Sequence, residues 1–308
     1  MILLPQPLIH VGYPKAASTW LQQTLFSDEK AGFYAPWGFP SGDAIEQFVL
    51  TNSFRFNPKL ARQFFAPGLQ EAAEKNLIPV LSQESLIGNQ VRGCYWTKDV
   101  ADRIYETFPE ARILILIREQ KAAIASSYRQ YIRKGETGTL AHFLGTDKPR
   151  QPGIGSICTI DRLEYDLPIA YYQKLFGNNN VLVLPMELLK MNSKSLVQTI
   201  LEFVGSTANG NYQTSAQNVG FKAGTLAIRR HLNIICGQSA EVYGSRVLWR
   251  TGEKISEAID RYFPKNWQDR AEQKLKQSIA EIVGNAFHES NQKTSQLIDI
   301  DLSEFSYD

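Results

Sequence analysis

A short apolar run, Leu8-Ile9-His10-Val11, leads into Gly12-Tyr13-Pro14-Lys15-Ala16-Ala17-Ser18-Thr19-Trp20-Leu21 and then into a helical pattern through Leu25. Strand, loop and helix in that order constrain the chain more than anything else in it. Free backbone N–H groups at a helix start point at an anion, and the helix dipole favours negative charge there. Lys15 adds a full positive charge, and Ser18 and Thr19 add hydroxyl donors in the first turn. The loop differs from a nucleotide-kinase P-loop, which wants Gly, four residues, then Gly-Lys-Ser/Thr. Counted from Gly12, those last three positions hold Ala17, Ser18 and Thr19. The lysine lies three residues earlier, inside the loop. A kinase needs the late lysine on the β- and γ-phosphates and the hydroxyl on Mg²⁺. This chain keeps the cradle and moves the cation, which suits a nucleotide with one 5′-phosphate and a transferable group that needs no metal.

The rest of the chain supplies a sheet for this loop. Residues 78–82, 112–117 and 181–185 are further apolar runs of strand length, each beside a helical pattern. Near-continuous apolar strands alternating with helices predict a parallel sheet covered on both faces. The run Arg112 to Ile117 is the most apolar and is expected at the centre. Ligands in such sheets bind beyond the carboxyl ends of the strands. The Lys15 loop, Glu84 and Arg118 all fall at such ends. Residues 159–177, 193–206 and 268–292 predict amphipathic helices. The aromatic stretch 34–68 predicts short helices and loops over the site. Residues 134–158 hold five glycines and two prolines, which suggests a lid or acceptor-binding loop. One α/β domain over residues 1–308 is expected.

Arg118 follows the third apolar run, and Ser126 comes eight residues later on the helix after it. A guanidinium fork at a strand tip and a hydroxyl on the next helix can converge on a second phosphate. Composition restricts partners. A net charge of +2 argues against a general nucleic-acid binder, so any positive patch is local. Cys94, Cys158 and Cys236 are odd in number and widely spaced, which fits neither a disulfide framework nor a zinc site and suits a reducing cytoplasm. The start lacks a basic n-region, and no apolar stretch reaches the ~20 residues of a membrane span. A cytoplasmic protein is expected, and a homodimer is compatible with it.

Pro14-Lys15-Ala16-Ala17-Ser18-Thr19-Trp20-Leu21 resembles the 5′-phosphosulfate loop of the PAPS-dependent sulfotransferases, usually Pro-Lys-x-Gly-Thr/Ser-Thr/Ser-x-Leu. The departure is Ala17 for Gly, tolerable where that backbone is helical and less so where it needs φ > 0. The resemblance implies a P-loop-NTPase-like α/β fold with a central parallel sheet flanked by helices. It implies PAPS as co-substrate, PAP as product and no metal. Lys15, Ala16, Ala17, Ser18 and Thr19 would line the 5′ site. Arg118 and Ser126, at the family's Arg-to-Ser spacing, would hold the 3′-phosphate. Trp20 resembles the position that stacks on adenine; a core tryptophan is the plain alternative.

Sulfuryl transfer needs a base for the acceptor proton and cations for the leaving phosphate. Glu84, in Leu81-Ser82-Gln83-Glu84-Ser85-Leu86, resembles the family's catalytic carboxylate; the plain alternative is a helix N-terminal Glu favoured by the dipole. Lys15 would also follow charge onto the bridging oxygen. Among the histidines, His10 lies within the first strand and reads as a packed residue, while His142, His231 and His288 lie far along the chain without a local motif. Phe221, Lys222 and Gly224 resemble remnants of the Phe-x-Arg-Lys-Gly loop that closes over the 3′-phosphate in the cytosolic family, which carries over Lys222; the Gln217-Asn218-Val219-Gly220 turn precedes it. The tail from Glu289-Ser290-Asn291 to Asp301-Leu302 and Tyr307 is similar to the end of bacterial members. The resemblance covers residue 7 to the end. It is specific at the two anchors and loose elsewhere. The expected acceptor is a glycan or glycoconjugate hydroxyl, with a small-molecule or lipid hydroxyl as the alternative. Two readings of other classes remain open: a degenerate P-loop kinase, and a non-catalytic PAPS or PAP binder.

Overall fold

The computed structural model describes residues 5–147, 158–208, 221–236 and 246–307. Five strands form one parallel sheet: β1 Leu8–Gly12, β2 Phe33–Tyr34, β3 Ile78–Ser82, β4 Arg112–Ile117 and β5 Val181–Pro185, in the order β2-β3-β1-β4-β5. Register pairs Ile9 with Leu81 on one side and with Ile113 on the other. The four longer strands match the apolar runs. β4 is interior, with Ile113 through Ile117 fully buried, yet the middle place belongs to β1. The chain leaves β1 toward the β3 side and leaves β4 toward β5. The directions diverge between β1 and β4, and that is the crevice where such sheets take ligands. Gly12 and Ile117 end those two strands.

The helices follow from local chemistry. Helix Pro58–Lys75 starts with proline in its first turn and with the Asn57 side chain accepting from the N–H groups of Lys59 and Leu60; Asn76 closes it in the left-handed conformation. It is longer than the short helices expected over 34–68, and it runs on through Pro67. Trp37 packs edge-on to Phe65 of this helix, and Phe39 packs near Phe26. Helix Gln120–Arg133 is capped by Glu119, whose carboxylate accepts from Lys121 and Ala122 N–H. Helix Ser193–Val204 lies close to its expected span, whereas the pattern over 159–177 divides into a 3-10 turn, Ile160–Leu163, and the helix Asp166–Phe176. The pattern over 268–292 resolves into two helices, Lys265–Val283 and His288–Ile298, with Gly284 following the first at φ +53°. Residues 148–157 of the glycine-rich stretch, and the turn 217–220, lie outside the described residues. Among the described residues, no helix is long and apolar enough to cross a membrane.

Candidate functional site

The Lys15 loop closes over the carboxyl end of β1. The Tyr13 N–H donates to the Leu116 carbonyl of β4 at 2.7 Å, which pins the loop across the crevice. Gly12 lies at φ +136°, and a Cβ there would come within 2.5 Å of the Glu84 carbonyl oxygen and 2.7 Å of Ile87 Cγ2. Only glycine lets the turn carrying Glu84 pack this closely on the phosphate loop.

The helix after the loop begins at Ser18 with no side-chain cap. Its first N–H groups have no intrahelical acceptor. The Ser18 hydroxyl is buried and makes no hydrogen bond. An uncapped helix start with an orphaned buried hydroxyl is unfavourable unless something fills it, and an anion with oxygen acceptors meets both needs. Ala17 takes φ +62° and ψ +15°. The family's glycine position is therefore left-handed here, and alanine holds it against its own preference.

Arg118 emerges from the end of β4, and its Nη1 donates to the Lys15 carbonyl oxygen at 3.0 Å. The two expected anchors, 103 residues apart in sequence, thus touch. Tyr165 Oη donates to the Arg118 carbonyl at 2.7 Å and fixes the turn behind the guanidinium. Glu187 accepts from the Glu119 N–H at 3.1 Å and from the Tyr307 hydroxyl at 3.0 Å. Gln120 and Asn291 bond through paired amides, and Ser290 donates to Asp166. The tail motif noted in the sequence therefore braces the segment that presents Arg118.

Burial lowers the Lys15 pKa, and the positive charges of Arg118, Arg133 and Lys134 lower it further, while Glu84 alone among the named neighbours pulls upward. Burial likewise lowers Arg118. Arg133 is paired with Glu253 at 2.8 Å, and Glu187 and Glu119 act on Arg118, so the positive charge around Lys15 is partly balanced; the cations gathered there still suit an anion. Ser126 is half-buried on helix Gln120–Arg133. It lies seven residues before Arg133, so the two share a helix face.

Glu84 opens the short 3-10 turn Glu84–Ile87, half-buried, just past β3. Gln22 Nε2 lies 3.5 Å from its Oε2 and 3.0 Å from Ser82 Oγ, and Ser82 Oγ lies 2.8 Å from His10 Nδ1. Burial pulls His10 down to about 3 from 6.5, so its ring is neutral at ordinary pH. The other histidines are occupied elsewhere: His142 with Asp147, His231 with the Ala227 carbonyl, His288 with Gln292.

The remaining expected residues are placed less centrally. Trp20 is 4% exposed and belongs to the hydrophobic core. Lys222 is exposed; its N–H donates to Asp260 Oδ1 at 2.9 Å and its Nζ to the Asp260 carbonyl at 3.0 Å. Its neighbour Phe221 lies under the Arg133 guanidinium, 5.5 Å from ring centre to Cζ. Segment 34–68 touches the site at Ser41, whose N–H donates to the Ser82 carbonyl at 3.0 Å. Gln22, Tyr165 and Arg133 were not singled out from sequence. Gln22 alone carried a usable signal, because it lies four residues past Ser18 on the same helix face.

No protein-family model matches the chain, and no curated protein matches it. Solved structures do. The sulfotransferase from Alicyclobacillus acidocaldarius is 15% identical, covers 86% of this chain and 100% of its own, and aligns with a TM-score of 0.51. Mouse sulfotransferase SULT7A1 complexed with PAP is 15% identical over 92% of this chain and 88% of its own, at a TM-score of 0.40. The sulfotransferase domain of the Synechococcus PCC 7002 olefin synthase is 13% identical over 84% and 97%, at 0.38. The first of these likenesses, with the parallel sheet described above, shows that the chain has the sulfotransferase fold.

Proposed function

We propose that this chain, as one domain, transfers a sulfuryl group from PAPS to an acceptor hydroxyl. The observation that carries the reading is the contact of Arg118 with the Lys15 loop at 3.0 Å, beside an uncapped helix start whose Ser18 hydroxyl lacks a partner. PAPS, which supplies the activated sulfuryl group, carries anionic groups at both ends of its ribose and so fits two adjoining anion anchors. Lys15, Ser18 and Thr19 would hold the 5′ end, with the backbone of Ala16 and Ala17 forming the cradle. Arg118 and Ser126 would hold the 3′-phosphate, with Lys222 near its edge. Trp20 would border the adenine from within the core.

The chain's residues then have distinct tasks. Glu84 takes the proton from the acceptor hydroxyl as its oxygen bonds to sulfur. Lys15 stabilises charge on the bridging oxygen as its bond to sulfur breaks. Such transfer needs positioning and charge stabilisation above all, and the cation field around Lys15 supplies the second. Glu84 is favoured as base because His10 is fully buried, bonded to Ser82 through Nδ1, and left a weak base by burial, which lowers its pKa to about 3.

A carboxylate base favours a glycan or glycoconjugate hydroxyl as acceptor. Phe33, Tyr34, Trp37 and Phe39 would be candidates to stack on a sugar face or on an aryl or lipid acceptor, but Phe33 is fully buried and Trp37 and Phe39 pack on Phe65 and Phe26, which leaves the half-buried Tyr34. Incubation with ³⁵S-labelled PAPS and a panel of heparosan and chondroitin oligosaccharides, 2-naphthol and cholesterol tests both parts. Label on an oligosaccharide supports the glycan reading. Label on 2-naphthol or cholesterol alone replaces it, and PAP release from no member of the panel or water would count against an enzyme.

A further inference from the structure

A polar chain runs inward from Glu84 through Gln22 and Ser82 to His10. Gln22 stands on a π turn, Leu21–Leu25, that directly continues the loop helix. There the Phe26 N–H donates to the Leu21 carbonyl, five residues back, at 2.8 Å. Single π turns inside helices are rare and frequently lie at functional sites; a second one, Glu46–Leu50, lies in segment 34–68. The Gln22 amide is 6% exposed, and the two groups behind it, Ser82 and His10, are fully buried.

Donor counting shows what this amide does. Nε2 carries two hydrogens, so one group can serve both Ser82 Oγ at 3.0 Å and Glu84 Oε2 at 3.5 Å. Ser82 in turn is held by His10 Nδ1 at 2.8 Å. With His10 neutral, Glu84 is the one charged member of the four. A cation in the place of Gln22 would pair with the carboxylate and weaken it as a base. A neutral donor orients the carboxylate and leaves its charge in place. A base must be within hydrogen-bond reach of its proton in a fixed pose, and a half-buried glutamate on a short turn has rotamer freedom to lose.

We infer that Gln22 is the positioning residue for Glu84: its amide holds one carboxylate oxygen, leaving the other for the acceptor's proton, while Ser82 and His10 hold the amide. This rests on Glu84 being the base. The test is a cycle of Gln22→Met, Glu84→Gln and the double variant. Turnover is read as PAP released from PAPS with the best acceptor of the panel above, or with water if none is used, and PAP affinity is read by calorimetry. Gln22→Met should lower kcat at least tenfold with PAP affinity within twofold, and should change kcat less than twofold once Glu84 is Gln. Near-normal kcat in Gln22→Met, or the same loss in both backgrounds, overturns the inference. Normal turnover in the single Glu84→Gln variant removes the base itself, and the role of Gln22 with it; that failure is visible before Gln22 is touched. Should Gln22→Met lose PAP binding altogether, Ser82→Ala interrogates the same chain one link on: a kcat loss absent from the Glu84→Gln background supports it, and an equal loss in both overturns it.

Discussion

Arg118 Nη1 donates to the carbonyl oxygen of Lys15 at 3.0 Å, so the guanidinium proposed for one end of the nucleotide is bonded to the backbone of the loop proposed for the other. Removing the guanidinium takes away a ligand contact and a brace of the loop together. Arg118→Ala should weaken PAP binding by ~1.5–3 kcal/mol, the range for hydrogen bonds to charged groups. Arg118→Lys should recover only part of it, since an ammonium cannot keep a fork on both the carbonyl and a phosphate. Calorimetry on both variants checks this; unchanged affinity in Arg118→Ala takes Arg118 out of the site.

Ala17 sits in the left-handed region where glycine belongs. Replacing it with glycine removes strain of roughly 1–2 kcal/mol and adds unfolded-state entropy of about 0.5–1 kcal/mol. Ala17→Gly should therefore be neutral to ~1 kcal/mol more stable in chemical denaturation. A clear loss of stability would mean that the loop does not hold this backbone.

Much of the fold, and the loop that carries the candidate site, was legible because its signals are local. The strand runs are apolar without interruption, and the loop residues Pro14 to Thr19 are contiguous, so neither needs knowledge of distant contacts. The order of strands was less so: β4 is as apolar as a central strand should be, yet the middle place went to β1, because burial on both faces does not distinguish one interior position from another. The long helix Pro58–Lys75 was obscured by its own prolines at 58 and 67, and by aromatics that read as a lid although Trp37 and Phe65 pack against each other. Gln22 escaped because its importance comes from Ser82 and Glu84, sixty residues away. Only folding brings them together.

Glu84 carries the most chemical weight at the least cost to the fold, since it is half-buried and its carboxylate accepts from the Gln22 amide. Glu84→Gln should lower kcat by roughly 10²–10⁴, the usual contribution of a positioned base, while PAP affinity stays within about twofold. Equal losses in kcat and PAP affinity would instead give Glu84 a role in nucleotide binding.

His10 gives the fold an acid limit. Its folded pKa is about 3 against 6.5, so its stabilising contribution is fully present above about pH 6.5 and is lost as pH falls from there toward 3. The slope from this group alone approaches about 1.4 kcal/mol per pH unit in that window. His10→Asn, whose amide can still meet Ser82, should flatten the slope in urea denaturation series at pH 4 to 6.5. An unchanged slope would show that His10 does not stay buried and neutral.

Titration of the purified chain with PAP, beside ATP with Mg²⁺, tests the two-anchor site most directly. Micromolar PAP binding without metal, and little ATP binding, is the predicted result. No PAP binding, or ATP preferred in the presence of Mg²⁺, would contradict it and return the loop to the kinases or to some other anion.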